Sequence, residues 1–196
     1  MILNITRQEK YSRGELLLRT FFGWLYIAIP HMFVLWILSI GAAIIGFIAW
    51  WVILFTGKYP REMFDFRVKV MRYQLRVVSR FVNLLDGYPA FGLSAVDPGL
   101  QFEVEYPETL SRGQLLLRTF FGWIYIVIPH VVCLYVRMIG LYFILIWAWF
   151  SILFTGQYPE MAHNYVVGTY RWSTRLSLSL ANMTDKYPPF HGRPEW

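Results

Sequence analysis

Two apolar blocks of about forty residues each, separated by stretches in which apolar and charged positions recur with helical period, organise the chain. Residues 115–154 contain only Arg118, His130 and Arg137 among side chains that carry charge, and residues 16–57 are comparably apolar. A bilayer core about 30 Å thick takes about 20 residues of helix, so each block has length for two crossings. After each block the pattern changes. From Pro60 to Leu85, Asp65, Lys69, Arg72, Arg76 and Arg80 recur every three or four residues while Phe64, Val68, Met71, Leu75, Val78 and Val82 line another face. That is the pattern of an amphipathic helix. Pro60 suits its first turn, and Gly87 with Pro89 ends it. The corresponding segment 159–183 keeps Arg171 and Arg175 but carries Ser, Thr and Asn in place of most other charges. Residues 3–6 and 101–106 alternate in polarity and predict short strand-like segments at the aqueous surface.

The two halves are copies. Ser12-Arg13-Gly14 recurs as Ser111-Arg112-Gly113, a constant offset of 99 that holds to the end of the chain, and residues 16–24 are identical to residues 115–123. Pro30-His31 maps onto Pro129-His130, Arg72 and Arg76 onto Arg171 and Arg175, and Tyr88-Pro89 onto Tyr187-Pro188. The repeat predicts two units, residues 1–93 and 94–196, with the second strand-like segment, residues 101–106, and Asp97-Pro98-Gly99 just before it as the linker.

Each block reads either as a tight hairpin or as one long crossing helix preceded by an interfacial one. Charge separates the two. With hairpins, of 18 Lys and Arg only Arg137 lies at the far end, whereas single crossings would invert the units and split the cations eight to nine with Arg137 near mid-membrane. The positive-inside bias favours the first. A guanidinium at the bilayer centre also costs at least about 2.5 kcal/mol, which a hairpin turn avoids. Gly41 and Gly140 stand where such turns would sit. The expected fold is therefore all-α and integral to the membrane: two tandem repeats, each a transmembrane helical hairpin (16–38 and 40–55; 115–136 and 139–154) followed by a basic amphipathic interfacial helix (60–85; 159–183), with both termini cytoplasmic. Six tryptophans, Trp24, Trp50 and Trp51 with Trp123, Trp147 and Trp149, would form an aromatic belt near that boundary. Composition agrees: 57% of residues are hydrophobic and 15% charged, too apolar for a soluble domain of this size. The first residues lack the pattern of a secretory signal, so the first block is expected to be retained.

Candidate chemistry is sparse. Arg67, Lys69, Arg72, Arg76, Arg80, Arg171 and Arg175 are candidate contacts to anionic headgroups, with plain surface anchoring as the simpler reading and specific lipid or partner-helix binding as the other. Arg19 and Arg118 are expected to snorkel. His31 and His130 each follow a proline inside an apolar block, where two imidazoles could relay a proton or share a metal. With no carboxylate between Glu15 and Glu62 or between Glu108 and Glu160, the blander reading is that each bonds a carbonyl freed by its proline. Cys133, alone and inside a block, packs as a small hydrophobe. No nucleophile elbow or phosphate loop occurs, and no metal site or cofactor is expected.

Ile29-Pro30-His31, residues 53–60 (Ile-Leu-Phe-Thr-Gly-Lys-Tyr-Pro), Arg72-Tyr73-x-x-Arg76 and Tyr88-Pro89-x-Phe91 resemble the bacterial membrane family known as domain of unknown function 4389. Tyr170-Arg171-Trp172-x-x-Arg175 and Tyr187-Pro188-Pro189-Phe190 match more closely, and Ala90 departs where the family has a second proline. The resemblance implies a bacterial inner-membrane location and no established activity. The expected role is that of a non-enzymatic accessory or scaffold subunit of a larger inner-membrane complex, with lipids and membrane proteins rather than nucleic acid as partners. Transport or lipid handling at the interface between the repeats is the alternative.

Overall fold

A computed structural model describes residues 1–194. Each repeat uses the same elements in the same order: β1 (Ile2–Ile5), α1 (Arg13–Gly23), a five-residue π-helical segment (Trp24–Ala28), α2 (Ile29–Thr56) and α3 (Arg61–Phe81), then β2 (Leu100–Glu103), α4 (Arg112–Gly122), a second π-helical segment (Trp123–Val127), α5 (Ile128–Thr155) and α6 (Glu160–Leu180). Helices α1 and α4 start at Ser12 and Ser111, whose hydroxyls accept from the backbone N–H of Glu15 and Gln114. Helices α2 and α5 stop at Gly57 and Gly156, both with φ 73°.

The expected hairpins are absent. Helix runs unbroken from Arg13 to Thr56 and from Arg112 to Thr155, 44 residues each, giving two helices among the described residues long and apolar enough to cross a membrane rather than four. The glycines assigned to turns are helical and serve close packing instead. A Cβ on Gly41 would lie 3.7 Å from the ring of Phe66, and one on Gly140 only 2.6 Å from the hydroxyl of Tyr165. Small residues there let α3 and α6 approach, which a sequence pattern cannot distinguish from a turn signal. Arg137 is consequently at mid-helix, held by Thr169 Oγ1 at 2.8 Å and the Tyr165 carbonyl at 3.2 Å, with its guanidinium 4.4 Å over the Tyr165 ring.

Helices α3 and α6 occupy their expected positions in the chain, each with one face enclosed. Their apolar positions pack into one core that joins both repeats: Phe64, Val68 and Leu75 with Val166, Val167 and Leu178, together with Leu16, Ile53, Leu115 and Ile152 of the long helices. The strands cap this core with Leu3, Ile5, Leu100 and Phe102 turned inward and Asn4, Gln101 and Glu103 exposed. The two strands pair antiparallel across the repeats, and Leu3 pairs with Phe102, its own counterpart at the repeat offset. A pseudo-twofold axis therefore passes between them, perpendicular to the ribbon. The long helices meet end to end: Arg13 bonds the Phe154 carbonyl and Arg112 the Phe55 carbonyl, while Trp149 and Trp50 donate to Thr20 and Thr119 of the opposite repeat. Their outer faces carry apolar side chains in the open along the whole length, among them Phe22, Trp36, Phe47 and Phe55 with Phe121, Tyr135, Ile146 and Phe154. Cys133 is on that exposed face rather than packed inside.

Candidate functional site

The shared motifs converge, once per repeat, on the proline of the long helix. Proline lacks the N–H that would bond the carbonyl four residues back, so Pro30 frees the carbonyl of Tyr26 and Pro129 that of Tyr125. The π-helical segments cover these positions, where the ladder is relaid. The orphaned oxygens are not left bare. Tyr88 donates its hydroxyl to the Tyr26 carbonyl at 3.1 Å, and Tyr187 does the same for Tyr125 at 2.8 Å. Expectation had given this task to His31 and His130, and the tyrosine of the Tyr-Pro-x-Phe segment performs it instead. Its spacing from the Pro-His pair was visible in both copies, but nothing local indicated that the hydroxyl would reach across 62 residues.

Both histidines are fully buried, each inside its own repeat. Phe91 stacks on the His31 ring with centroids 4.0 Å apart and planes 11° apart, and Phe190 stacks on His130 at 4.0 Å and 4°. The second face of the box comes from α3 or α6. His31 Nδ1 lies 2.6 Å from the Tyr73 hydroxyl, and Trp172 donates its indole N–H to His130 Nδ1 at 2.9 Å. Because an indole nitrogen only donates, His130 Nδ1 is an acceptor and its imidazole proton belongs on Nε2. The two histidines thus sit in separate aromatic boxes, not in a shared site.

The candidate headgroup arginines are distributed differently from expectation. Arg76 and Arg175 are fully buried and act as straps. Arg76 donates to the carbonyls of Gly92 and Ala95, and Arg175 to those of His191, Arg193 and Pro194, tying the segment after each Tyr-Pro-x-Phe back onto α3 or α6. Burial draws both guanidinium groups below their ordinary range. Arg80 is buried in an ion pair with Asp97 of the linker. Arg72 and Arg171 reach the strands, bonding the carbonyls of Phe102 and Leu3. Arg76, Arg80 and Arg175 are closed off where the chain after each helix folds back over the stripe that periodicity assigned to solvent, while Arg72 and Arg171 stay half-buried against the strands. Lys69 is exposed, and Arg67 lies partly buried beside α2. Arg19 and Arg118 do not snorkel either. Arg19 donates to the carbonyls of Arg80 and Leu85 and pairs with Asp86, and Arg118 donates to those of Ser179 and Thr184.

One buried titratable group carries no signature in the sequence. His163, near the start of α6, sits edge-on to Tyr158 with centroids 5.9 Å apart. Burial, with the nearby cations of Arg7 and Arg171 as smaller contributors, pushes its imidazole down to about 4.

The model of the domain of unknown function 4389 matches residues 15–91 and again residues 114–191, which is most of the chain. The chain belongs to this family. Each matched region runs from the first turn of a long helix to the aromatic lid on its histidine, so one family domain corresponds to one complete clamp. No curated protein and no solved structure matches the chain.

Proposed function

We propose that this family member is a non-enzymatic membrane scaffold, lodged along the outer apolar faces of its two long helices and presenting the ribbon side to the cytoplasm, where it supports a larger inner-membrane assembly. The single observation that carries the reading is the inversion of polarity between inside and outside. The decisive comparison is between Phe47 and Phe55, which stand in the open, and Arg76, Arg175, His31 and His130, which are fully enclosed. Exposed apolar stripes of this extent mark contact with lipid or with another protein. The buried polar groups rigidify the frame: the hydroxyls of Tyr88 and Tyr187, the guanidiniums of Arg76 and Arg175 and the imidazoles of His31 and His130 each hold one chain segment to another. Both readings of His31 and His130 as a common relay lose their motivation, since each ring is closed in its own box.

The reading is tested in membranes. After alkaline washing the protein is expected to remain with the bilayer fraction, and purification in a gentle detergent is expected to bring down stoichiometric membrane-protein companions. Release by the alkaline wash overturns the seating, and recovery of a lone protomer free of other proteins overturns the scaffold role.

A further inference from the structure

Two cavities share a wall, the first between the repeats and the second within the first repeat. The first, about 480 Å³, is bounded by α2, α3 and α6, and its lining sets the polar side chains of Arg67, Ser173, Thr174 and Ser177 among apolar ones. The second, about 540 Å³, is bounded by α2 and α3 and is lined mostly by apolar side chains, including Met32, Leu35, Trp36 and Phe81. Ser39, Val70, Gln74 and Val78 border both. Met32, Trp36 and Phe81 are themselves exposed, and Met32 and Trp36 belong to the open stripe of α2, so the apolar compartment adjoins the face assigned above to lipid.

Arg67 gives the polar compartment its charge. Its guanidinium lies against α2 at Gly46, where a Cβ would come 2.6 Å from Nη1, and its hydrogen-bond partner is the Tyr59 hydroxyl at 3.4 Å. Among the described residues no carboxylate pairs with it, in contrast to Arg19, Arg61 and Arg80. The other repeat has no such cation, because Val166 holds the position equivalent to Arg67. An uncompensated arginine at one end of a groove and an apolar trough at the other match an anionic amphiphile, and basic pockets between membrane helices bind such headgroups.

We propose that this groove holds one anionic phospholipid taken from the surrounding membrane, its phosphate on Arg67 and an acyl chain along Met32, Leu35 and Trp36. The assignment rests on the membrane seating proposed above. One lipid binds per chain, on the first repeat only, with the hydroxyls of Ser173, Thr174 and Ser177 offering hydrogen bonds from the second repeat.

The test is native mass spectrometry of the full chain released from detergent after incubation with dioleoyl phosphatidylglycerol, dioleoyl phosphatidylcholine or inorganic phosphate. The wild type is expected to retain one phosphatidylglycerol, with phosphatidylcholine held about tenfold less and phosphate failing to displace the lipid. Arg67→Val, which installs the side chain of the second repeat, is expected to lower phosphatidylglycerol to the phosphatidylcholine level. Ser39→Trp, filling the shared wall with Arg67 intact, is expected to do the same, and Arg61→Gln to retain the lipid as the wild type does. Equal retention of the two lipids, an undiminished adduct in Arg67→Val, or displacement by phosphate alone overturns the proposal. Alkaline washing of membranes that contain Arg67→Val separates the two readings: a variant that stays in the bilayer but loses its adduct affects the groove alone, whereas release of the wild type affects the seating, and the detergent measurement still decides the groove.

Discussion

Acidification is predicted to loosen the junction between the strands and α6 through a single imidazole. His163 is buried beside Tyr158, and its proton affinity is lowered to about 4 from an ordinary 6.5. In the unfolded chain the ring takes up a proton as pH falls through 6.5, while in the folded chain it resists until about 4. The unfolded state therefore binds more protons across that window, so the stability conferred by neutral His163 is complete above pH 6.5 and is lost progressively down to pH 4. At about 1.4 kcal/mol per pH unit, the loss across the window comes to about 3 kcal/mol. The first repeat supplies the control, because Phe64 occupies the equivalent position and meets Tyr59 edge-on at 5.7 Å, much as His163 meets Tyr158. His163→Phe should therefore fit, and carboxylates that titrate in the same range contribute equally to both proteins. Thermal unfolding in detergent, followed by tryptophan fluorescence at pH 7 and pH 4.5, is expected to show a larger drop in Tm for the wild type than for His163→Phe. Equal drops in the two proteins would refute the assignment.

Two further substitutions probe the clamp and the straps. Tyr88→Phe and Tyr187→Phe each remove the hydroxyl that satisfies a proline-orphaned carbonyl, and each is expected to cost about 1 kcal/mol, read as a lowered midpoint of unfolding. The double variant should lose about twice as much, since the clamps belong to separate repeats. Arg76→Ala deletes two charge-assisted bonds worth about 1.5–3 kcal/mol each, partly offset by relief from burying a cation. Limited proteolysis is expected to cut between residues 92 and 97 in this variant and to leave Lys69→Ala as resistant as the wild type.

The repeat, the extent of α3 and α6 and the strand-like openings were legible because each has a local signature: a fixed offset, a 3.6-residue period and short alternation. What was misread depends on contacts between distant segments. Gly41 carries the same local information whether it turns the chain or admits the ring of Phe66. Lys69, Arg72, Arg76 and Arg80 share a stripe, and only the return of residues 92–97 separates the buried straps from the exposed Lys69. The pairing of β1 with β2 joins residues about a hundred positions apart. The Pro-His and Tyr-Pro-x-Phe motifs were each visible, yet their union into one clamp required the fold.

The position of the pseudo-twofold axis bears on how the protein meets the membrane. The axis passes through the Leu3–Phe102 pair. If the two repeats were inverted across the bilayer, the axis would have to lie in its midplane, carrying the ribbon with exposed Asn4, Gln101 and Glu103 to the membrane centre. A lone charge there costs at least about 2.5 kcal/mol. An axis along the membrane normal avoids this and puts both repeats the same way round. Yet each long helix, about 66 Å in length, makes no turn back. Both its ends are tied to the same ribbon-side segments, since the Tyr11 N–H bonds the Gly156 carbonyl and the Leu110 N–H bonds the Gly57 carbonyl. Under the seating proposed above, these conditions are expected to be met with the long helices lying along one leaflet, immersed by their outer faces to the depth of an interfacial helix. Single cysteines introduced at Lys58, Gln157 and Ser39 in a Cys133→Ala background distinguish the arrangements. An impermeant thiol reagent should label positions 58 and 157 only from the cytoplasmic side and should not reach position 39 from outside. Labelling of 58 and 157 from opposite sides would restore inverted crossings, and labelling of 39 from outside would carry the middle of the long helix to the far face and overturn the one-leaflet seating.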